Sequence, residues 1–156
     1  MFPFNQKLWD YGTKIAAPAS NKSERLFPFN KQLWDYGTKI EEQVKPLIDK
    51  KFNADFKKND DIWDILDFHD EEKKIICEIK GRKINHNQFP STIIPMNKVQ
   101  KGFMKTDEGY KVYFIFVFKD KTMYCELNED LNYEIKLTGT NCIEHACIPI
   151  NSLIEV

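Results

Sequence analysis

One segment constrains the fold more than any other. Residues 111–118 read KVYFIFVF, a nearly continuous apolar run of β-branched and aromatic residues. Such a run is typical of a strand that is buried on both faces of a sheet. A strand of this kind needs a layer of structure on each side, and a chain of 156 residues with 42% apolar content can bury one sizeable core. The sequence therefore predicts a single layered domain with a central sheet.

Hydrophobic periodicity predicts the remaining elements. Apolar residues at three- and four-residue steps predict a helix over residues 30–52, with a kink or break at Gly37 and Pro46. The other predicted elements are strands 62–68 and 74–80 joined as a hairpin, an irregular stretch 82–95, a short helix 96–105, and strands 123–127 and 133–137. This order predicts an α/β fold, a mixed sheet flanked by helices.

The front of the chain carries a near-duplicate. Residues 2–15 and 27–40 agree at 12 of 14 positions. Two copies cannot form a solenoid, which needs three or more. We expect an N-terminal arm at 1–26, which contains the first copy and a polar linker, and one domain at 27–156. The arm is either peripheral or docks on the same or a neighbouring molecule.

The overall charge excludes a global attraction to nucleic acid. The 23 basic and 24 acidic residues give a formal net charge of -1, so any nucleic-acid binding must come from a local patch. The sequence shows no apolar run long enough to cross a membrane and no secretory signal. We therefore expect a soluble intracellular protein with no membrane contact.

Four cysteines are expected to be free thiols, because intracellular thiols stay reduced. Cys142, His145 and Cys147 lie within six residues. They lack the paired, separated ligands that are typical of structural zinc sites. The sequence leaves open whether these three residues bind metal.

The predicted hairpin holds the chemically informative residues. With its loop centred on Glu71, Asp64 lies opposite Glu78, while Lys80 shares their face and Asp67 points to the other side. Two carboxylates that face each other repel unless a cation lies between them, and hard oxygen ligands suit Mg²⁺. A neighbouring lysine can orient a water molecule or stabilise developing phosphoryl charge.

This arrangement, Asp64 followed by Glu78-Ile79-Lys80 on the next strand, resembles the PD-(D/E)xK nuclease superfamily. The resemblance implies a restriction-endonuclease-like fold, with Asp64, Glu78 and the Ile79 carbonyl as metal ligands and Lys80 as the catalytic lysine. It also implies Mg²⁺ as the cofactor, with Mn²⁺ able to substitute. Members often carry a further acid on the first core helix, and Glu41 is the candidate here.

Basic and polar residues follow the Glu-x-Lys element. Phosphate and base contacts are predicted for two groups of residues: Arg82, Lys83 and Gln88 in the loop, and Lys98, Lys101 and Lys105 on the next helix. The leading hypothesis is a Mg²⁺-dependent endonuclease acting on DNA, working as a homodimer because one small site cuts one strand. The alternatives are a catalytically silent DNA-binding module on the same fold and an RNA nuclease.

Overall fold

The computed structural model describes residues 30–59, 66–140 and 142–156. These residues form two α-helices and nine strands. In chain order they are α1 (Lys31–Phe52), β1 (Lys57–Lys58), β2 (Phe68–Asp70), β3 (Ile75–Gly81), β4 (Ser91–Pro95), α2 (Met96–Asp107), β5 (Lys111–Val117), β6 (Thr122–Glu126), β7 (Glu134–Thr138), β8 (Ile143–Pro149) and β9 (Ile154–Glu155), with a short 3₁₀ turn at Ile150–Ser152.

The strands form two sheets. The larger has six strands in the order β1-β2-β3-β5-β6-β9, and the smaller has three in the order β4-β8-β7. Strands β3 and β5 run parallel, and the other pairs of the larger sheet are antiparallel. The predicted mixed sheet flanked by helices is confirmed, and the second sheet adds a layer that the sequence did not predict.

Strand β5 is buried on both faces, as its composition predicts. Ile115 packs with Val44 and Ile48 of α1. Phe114 and Phe116 point the opposite way, into a second apolar cluster that includes residues of α2 and of the smaller sheet. The larger sheet thus lies between α1 on one face and α2 with the smaller sheet on the other.

Helix α1 confirms the periodicity prediction but not the predicted break. Asn30 caps it by accepting a hydrogen bond from the Leu33 N–H, at 3.2 Å from Oδ1. The helix continues through Gly37 and Pro46 to Phe52. Burial of Val44 and Ile48 against the sheet outweighs the hydrogen bond that a proline removes.

The stretch predicted to be irregular contains a strand. Residues of β4 alternate between buried and half-buried positions and pair with β8, a strand about 50 residues later in the chain. The hydrophobic periodicity of a short segment cannot reveal a partner strand so far along the chain. The expected arm at 1–26 and the first repeat copy lie outside the described residues, so the domain boundary stays a prediction.

The hairpin is present, but its predicted register is wrong by three residues. Phe68 pairs with Cys77, His69 with Ile76 and Asp70 with Ile75. Both Phe68 and Cys77 are buried, whereas the predicted register opposed Phe68 to a lysine. Pairing apolar residues with each other decides the register.

Candidate active site

Glu78 is a buried carboxylate in the larger sheet. It lies in the middle of β3, next to Phe114 of β5, and its side chain is 0% exposed. An ionised carboxylate is seldom buried so completely without partners, because the loss of hydration is costly. The charged groups around Glu78 therefore determine whether its carboxyl is ionised.

Two lysines contact the Glu78 carboxylate. Lys80 Nζ lies 2.9 Å from Oε1. Lys98 reaches across from α2 and lies 3.1 Å from Oε1 and 3.2 Å from Oε2. Both ammonium groups are partly shielded from solvent, with side chains 28% and 17% exposed. The predicted Glu-x-Lys pair is thus in contact, and a second cation joins it.

The protonation of Glu78 reflects competing effects. Burial raises the pKa of its carboxyl to about 7. The positive charges of Lys80 and Lys98 oppose that rise, while the negative charge of Asp67 adds to it. Glu78 consequently gains and loses its proton near neutral pH, unlike an ordinary surface glutamate.

Asp67 is the acid that the structure brings beside Glu78. Continuing the β2–β3 register by one residue sets Asp67 at the level of Glu78, on the same face of the sheet. The Ile79 N–H donates a hydrogen bond to Asp67 Oδ2, with 3.0 Å between the nitrogen and the oxygen. The prediction that Asp67 points away is therefore wrong. Matching the buried Phe68 with Cys77 was the sequence signal that could have found it.

Of the two other predicted acids, only Glu41 lies in the described part of the chain, and it is not part of this contact. Asp64 lies outside the described residues, so its role stays a prediction. Glu41 lies on α1, and its carboxylate pairs with Lys58 Nζ on β1 at 2.7 Å. Both line a cleft of about 540 Å³ that also contains Phe68. Phe68 packs in the apolar cluster with Val44 and Ile48 of α1, whereas Glu78 contacts Lys98 of α2. The cleft beside Glu41 is therefore on the α1 side of the larger sheet, and Glu78 is on the α2 side.

The predicted nucleic-acid residues divide by environment. Arg82 turns inward, where its guanidinium donates to the Ile93 carbonyl and to Thr92 Oγ1 of β4. Burial lowers its pKa. Lys83 and Gln88 are exposed in the loop, and the Lys83 ammonium lies 4.5 Å from the Tyr36 ring centroid. Arg82 thus joins strands, while Lys83 and Gln88 remain accessible.

The helical lysines also take different roles. Lys98 contacts Glu78, as described above. Lys101 is half-buried on α2. Lys105 pairs with Glu108 at 3.2 Å and lies over the Tyr110 ring. The three lysines therefore lie in different environments.

The carboxylates meet the basic requirements of a divalent-ion site. Asp67 and Glu78 supply hard oxygen ligands, the type that Mg²⁺ prefers. Mg²⁺ commonly binds one or two protein carboxylates and keeps water as its other ligands. The described residues contain no group of three or more His, Cys, Asp or Glu side chains that could enclose a metal. The pair thus fits an open, hydrated site and not a closed cage.

All four cysteines are free thiols, and Cys77, Cys125 and Cys147 are buried. Burial raises the pKa of the Cys125 thiol to about 12, which disfavours the thiolate that metals bind. Of the three C-terminal residues that the sequence leaves open as metal ligands, His145 contacts the backbone: its Nδ1 lies 2.9 Å from the Ile143 carbonyl oxygen.

Comparison with known proteins identifies the family. Residues 36–141 match the family described as "phage putative PDDEXK endonuclease". The chain belongs to this family. No curated protein and no solved structure matches the chain.

The part of the chain that matches the PDDEXK endonuclease family contains Glu78 and the residues around it. The matched range includes most of α1 and all of the β2–β3 hairpin, α2 and β5. The predicted resemblance to PD-(D/E)xK nucleases is therefore confirmed, and membership supports a nuclease acting on nucleic acid. Neither helix in the described part of the chain is long and apolar enough to span a membrane.

Proposed function

We propose that this PDDEXK family member is a Mg²⁺-dependent endonuclease that hydrolyses phosphodiester bonds in DNA, with Asp67, Glu78 and Lys80 as its active site. The observation that supports this is the convergence of Asp67 and Lys80 on the fully buried Glu78. The proposal takes Asp67 in place of the Asp64 predicted from the sequence, because continuing the β2–β3 register by one residue sets Asp67 opposite Glu78. Glu41 is not included, because its carboxylate pairs with Lys58.

Each residue has a distinct role in this proposal. Asp67 and Glu78 would hold the divalent ion, with the Ile79 carbonyl as a further ligand. The Ile79 N–H fixes one Asp67 oxygen, which orients the carboxylate. The bound ion would supply Lewis-acid polarisation of the phosphate and activation of water.

Lys80 acts on the reacting phosphate. Its ammonium is held beside Glu78 yet remains 28% exposed, so it can reach an incoming substrate. There it stabilises the negative charge that develops as the water oxygen bonds to phosphorus and the phosphorus–oxygen bond to the leaving group breaks. The attacking water releases its proton to solvent, and the leaving oxygen takes a proton from solvent. Mn²⁺ is expected to support the same reaction.

Substitutions test the assignment. Asp67→Asn, Glu78→Gln and Lys80→Met should each lower Mg²⁺-dependent DNA cleavage by at least about 100-fold, as loss of a metal ligand or charge stabiliser does. Asp64→Asn is the matched control, because it removes the same group three residues earlier and should retain cleavage. Loss of cleavage in Asp64→Asn, with retention in Asp67→Asn, would return the role to Asp64. Cleavage that survives in all three site variants would refute the site.

The substrate is tested separately. Purified protein is incubated with linear duplex, single-stranded and branched DNA and with RNA, each with Mg²⁺, Mn²⁺ or EDTA. Metal-dependent cleavage of DNA with internal products supports the proposal. Cleavage of RNA alone would make the protein an RNA nuclease. Salt-sensitive DNA binding with no cleavage under any metal would make it a binding module.

Accessible basic and amide groups are proposed to hold the DNA. Lys83 and Gln88 are exposed in the loop that follows β3, and Lys101 lies on α2. Because Arg82 binds β4, we assign it a structural role and leave phosphate contact to Lys83, Gln88 and Lys101. Replacing a residue that contacts phosphate should weaken binding to all sequences alike and reduce its salt dependence.

A further inference from the structure

Lys98 is a second counter-ion of Glu78 that the proposed chemistry does not require. It lies closer to the carboxylate as a whole than Lys80 does, since its Nζ is within 3.2 Å of both oxygens whereas Lys80 contacts Oε1. Its side chain is only 17% exposed. A lysine that covers both oxygens blocks the atoms that a metal ion needs.

The position of Lys98 in α2 is unfavourable for local reasons. It is the third residue of the helix, and the first turn contains no acidic residue. The helix also lacks a side-chain cap, because Pro95 occupies the N-cap position. A cation in the first turn is repelled by the positive end of the helix dipole. The compensating charge comes from another element, Glu78 on β3.

The formal charges at the site indicate what Lys98 does. When Glu78 is ionised, the two carboxylates of Asp67 and Glu78 are balanced by the ammonium groups of Lys80 and Lys98. A divalent ion entering this neutral group brings two uncompensated positive charges into a poorly hydrated environment, where like charges repel strongly. Entry is favourable only if a cation withdraws or a phosphate adds negative charge.

We propose that Lys98 is an exchangeable counter-ion: it holds Glu78 in the metal-free protein, and releases it when a divalent ion and the substrate phosphate bind together. This inference rests on the proposed function, because it takes Glu78 as a metal ligand. Lys98 is thus a positioning residue that makes metal binding depend on substrate. Its ammonium, released at the edge of the site, is then free to approach the phosphate.

The test measures Mn²⁺ affinity by electron paramagnetic resonance on the full chain, with and without a non-cleavable phosphorothioate DNA duplex. Without DNA, Lys98→Met should bind Mn²⁺ about tenfold more tightly than the wild type, because one repelling charge is removed. DNA should tighten Mn²⁺ binding to the wild type more than to Lys98→Met. Lys136→Met, which removes an exposed charge on β7 that pairs with Glu134, should change affinity less than about twofold.

Unchanged or weaker Mn²⁺ binding in Lys98→Met, beside normal binding by the wild type, overturns the role of Lys98 and leaves the nuclease proposal standing. Absence of Mn²⁺ binding by the wild type with and without DNA overturns both. Should Lys98→Met not fold, Lys98→Gln keeps a hydrogen-bond donor without the charge, and the same tightening is expected. Circular dichroism confirms the fold of each variant.

Discussion

Replacing Glu78 by Gln should stabilise the metal-free protein while abolishing its proposed activity. The substitution preserves the shape of a side chain that is 0% exposed and removes its charge. Burial raises the Glu78 pKa from 4.5 to about 7. A carboxyl with a higher pKa in the folded than in the unfolded state contributes stability below the unfolded pKa. That contribution is lost as the pH rises through the folded pKa.

The size of the effect follows from these two values. The interval between 4.5 and about 7 corresponds to about 3 kcal/mol in the free energy of unfolding. Glu78→Gln should therefore exceed the wild type by up to about 3 kcal/mol at roughly pH 8, where Glu78 is ionised in both states. At roughly pH 5 the difference should fall below about 1 kcal/mol. The loss of attraction to Lys80 and Lys98 is already contained in the pKa.

Urea unfolding followed by circular dichroism, in EDTA, measures this difference. Glu134→Gln is the control, because Glu134 is 73% exposed and its replacement should change stability by less than about 0.5 kcal/mol at either pH. The reasoning is refuted if Glu78→Gln is no more stable than the wild type at the higher pH, or if the difference does not depend on pH. The first result would mean that the two lysines compensate fully for burial.

Three further predictions concern packing, Arg82 and assembly. A methyl group added at Gly102 would lie 2.4 Å from Leu127 Cδ2, so Gly102→Ala should cost about 1–3 kcal/mol in urea unfolding. Gly37→Ala, with nothing within 4 Å, should be neutral or gain up to about 1 kcal/mol. Arg82→Met should lower stability by about 1–3 kcal/mol and Lys83→Met by less than about 0.5 kcal/mol; the reverse order would favour a phosphate role for Arg82. Sedimentation velocity should give twice the 18.5 kDa chain mass, and a monomer at working concentration would contradict the homodimer.

Composition and hydrophobic periodicity predict the central strand and the two helices. Strand β5 and helices α1 and α2 were predicted because burial on two faces, or on one stripe, leaves a repeating pattern in the sequence. The Glu78–Lys80 contact was also predictable, since residues two apart on a strand share a face. These features depend on near neighbours in the chain.

Features that depend on distant partners were not predicted. The strand β4 pairs with β8, far along the chain, and the register of the hairpin depends on which buried side chains meet. For the same reason the sequence predicts the wrong face for Asp67 and does not predict the contact of Lys98 with Glu78. Lys98 reaches Glu78 only because α2 packs across the sheet. Helical spacing alone carries no information about that contact.

The length of the turn between β2 and β3 determines which residues of the two strands lie opposite each other at the site. Asp70 fixes this turn, as its carboxylate accepts hydrogen bonds from the Asp55 and Lys73 N–H groups at 2.9 and 3.1 Å. Side chains alternate with a period of two, so one residue gained or lost in the turn would send Asp67 to the opposite face unless a bulge absorbed it. Length variation is ordinarily cheap in surface turns. In this turn it would separate the two acids, so related sequences that retain the activity should keep the Asp67-to-Glu78 spacing unchanged.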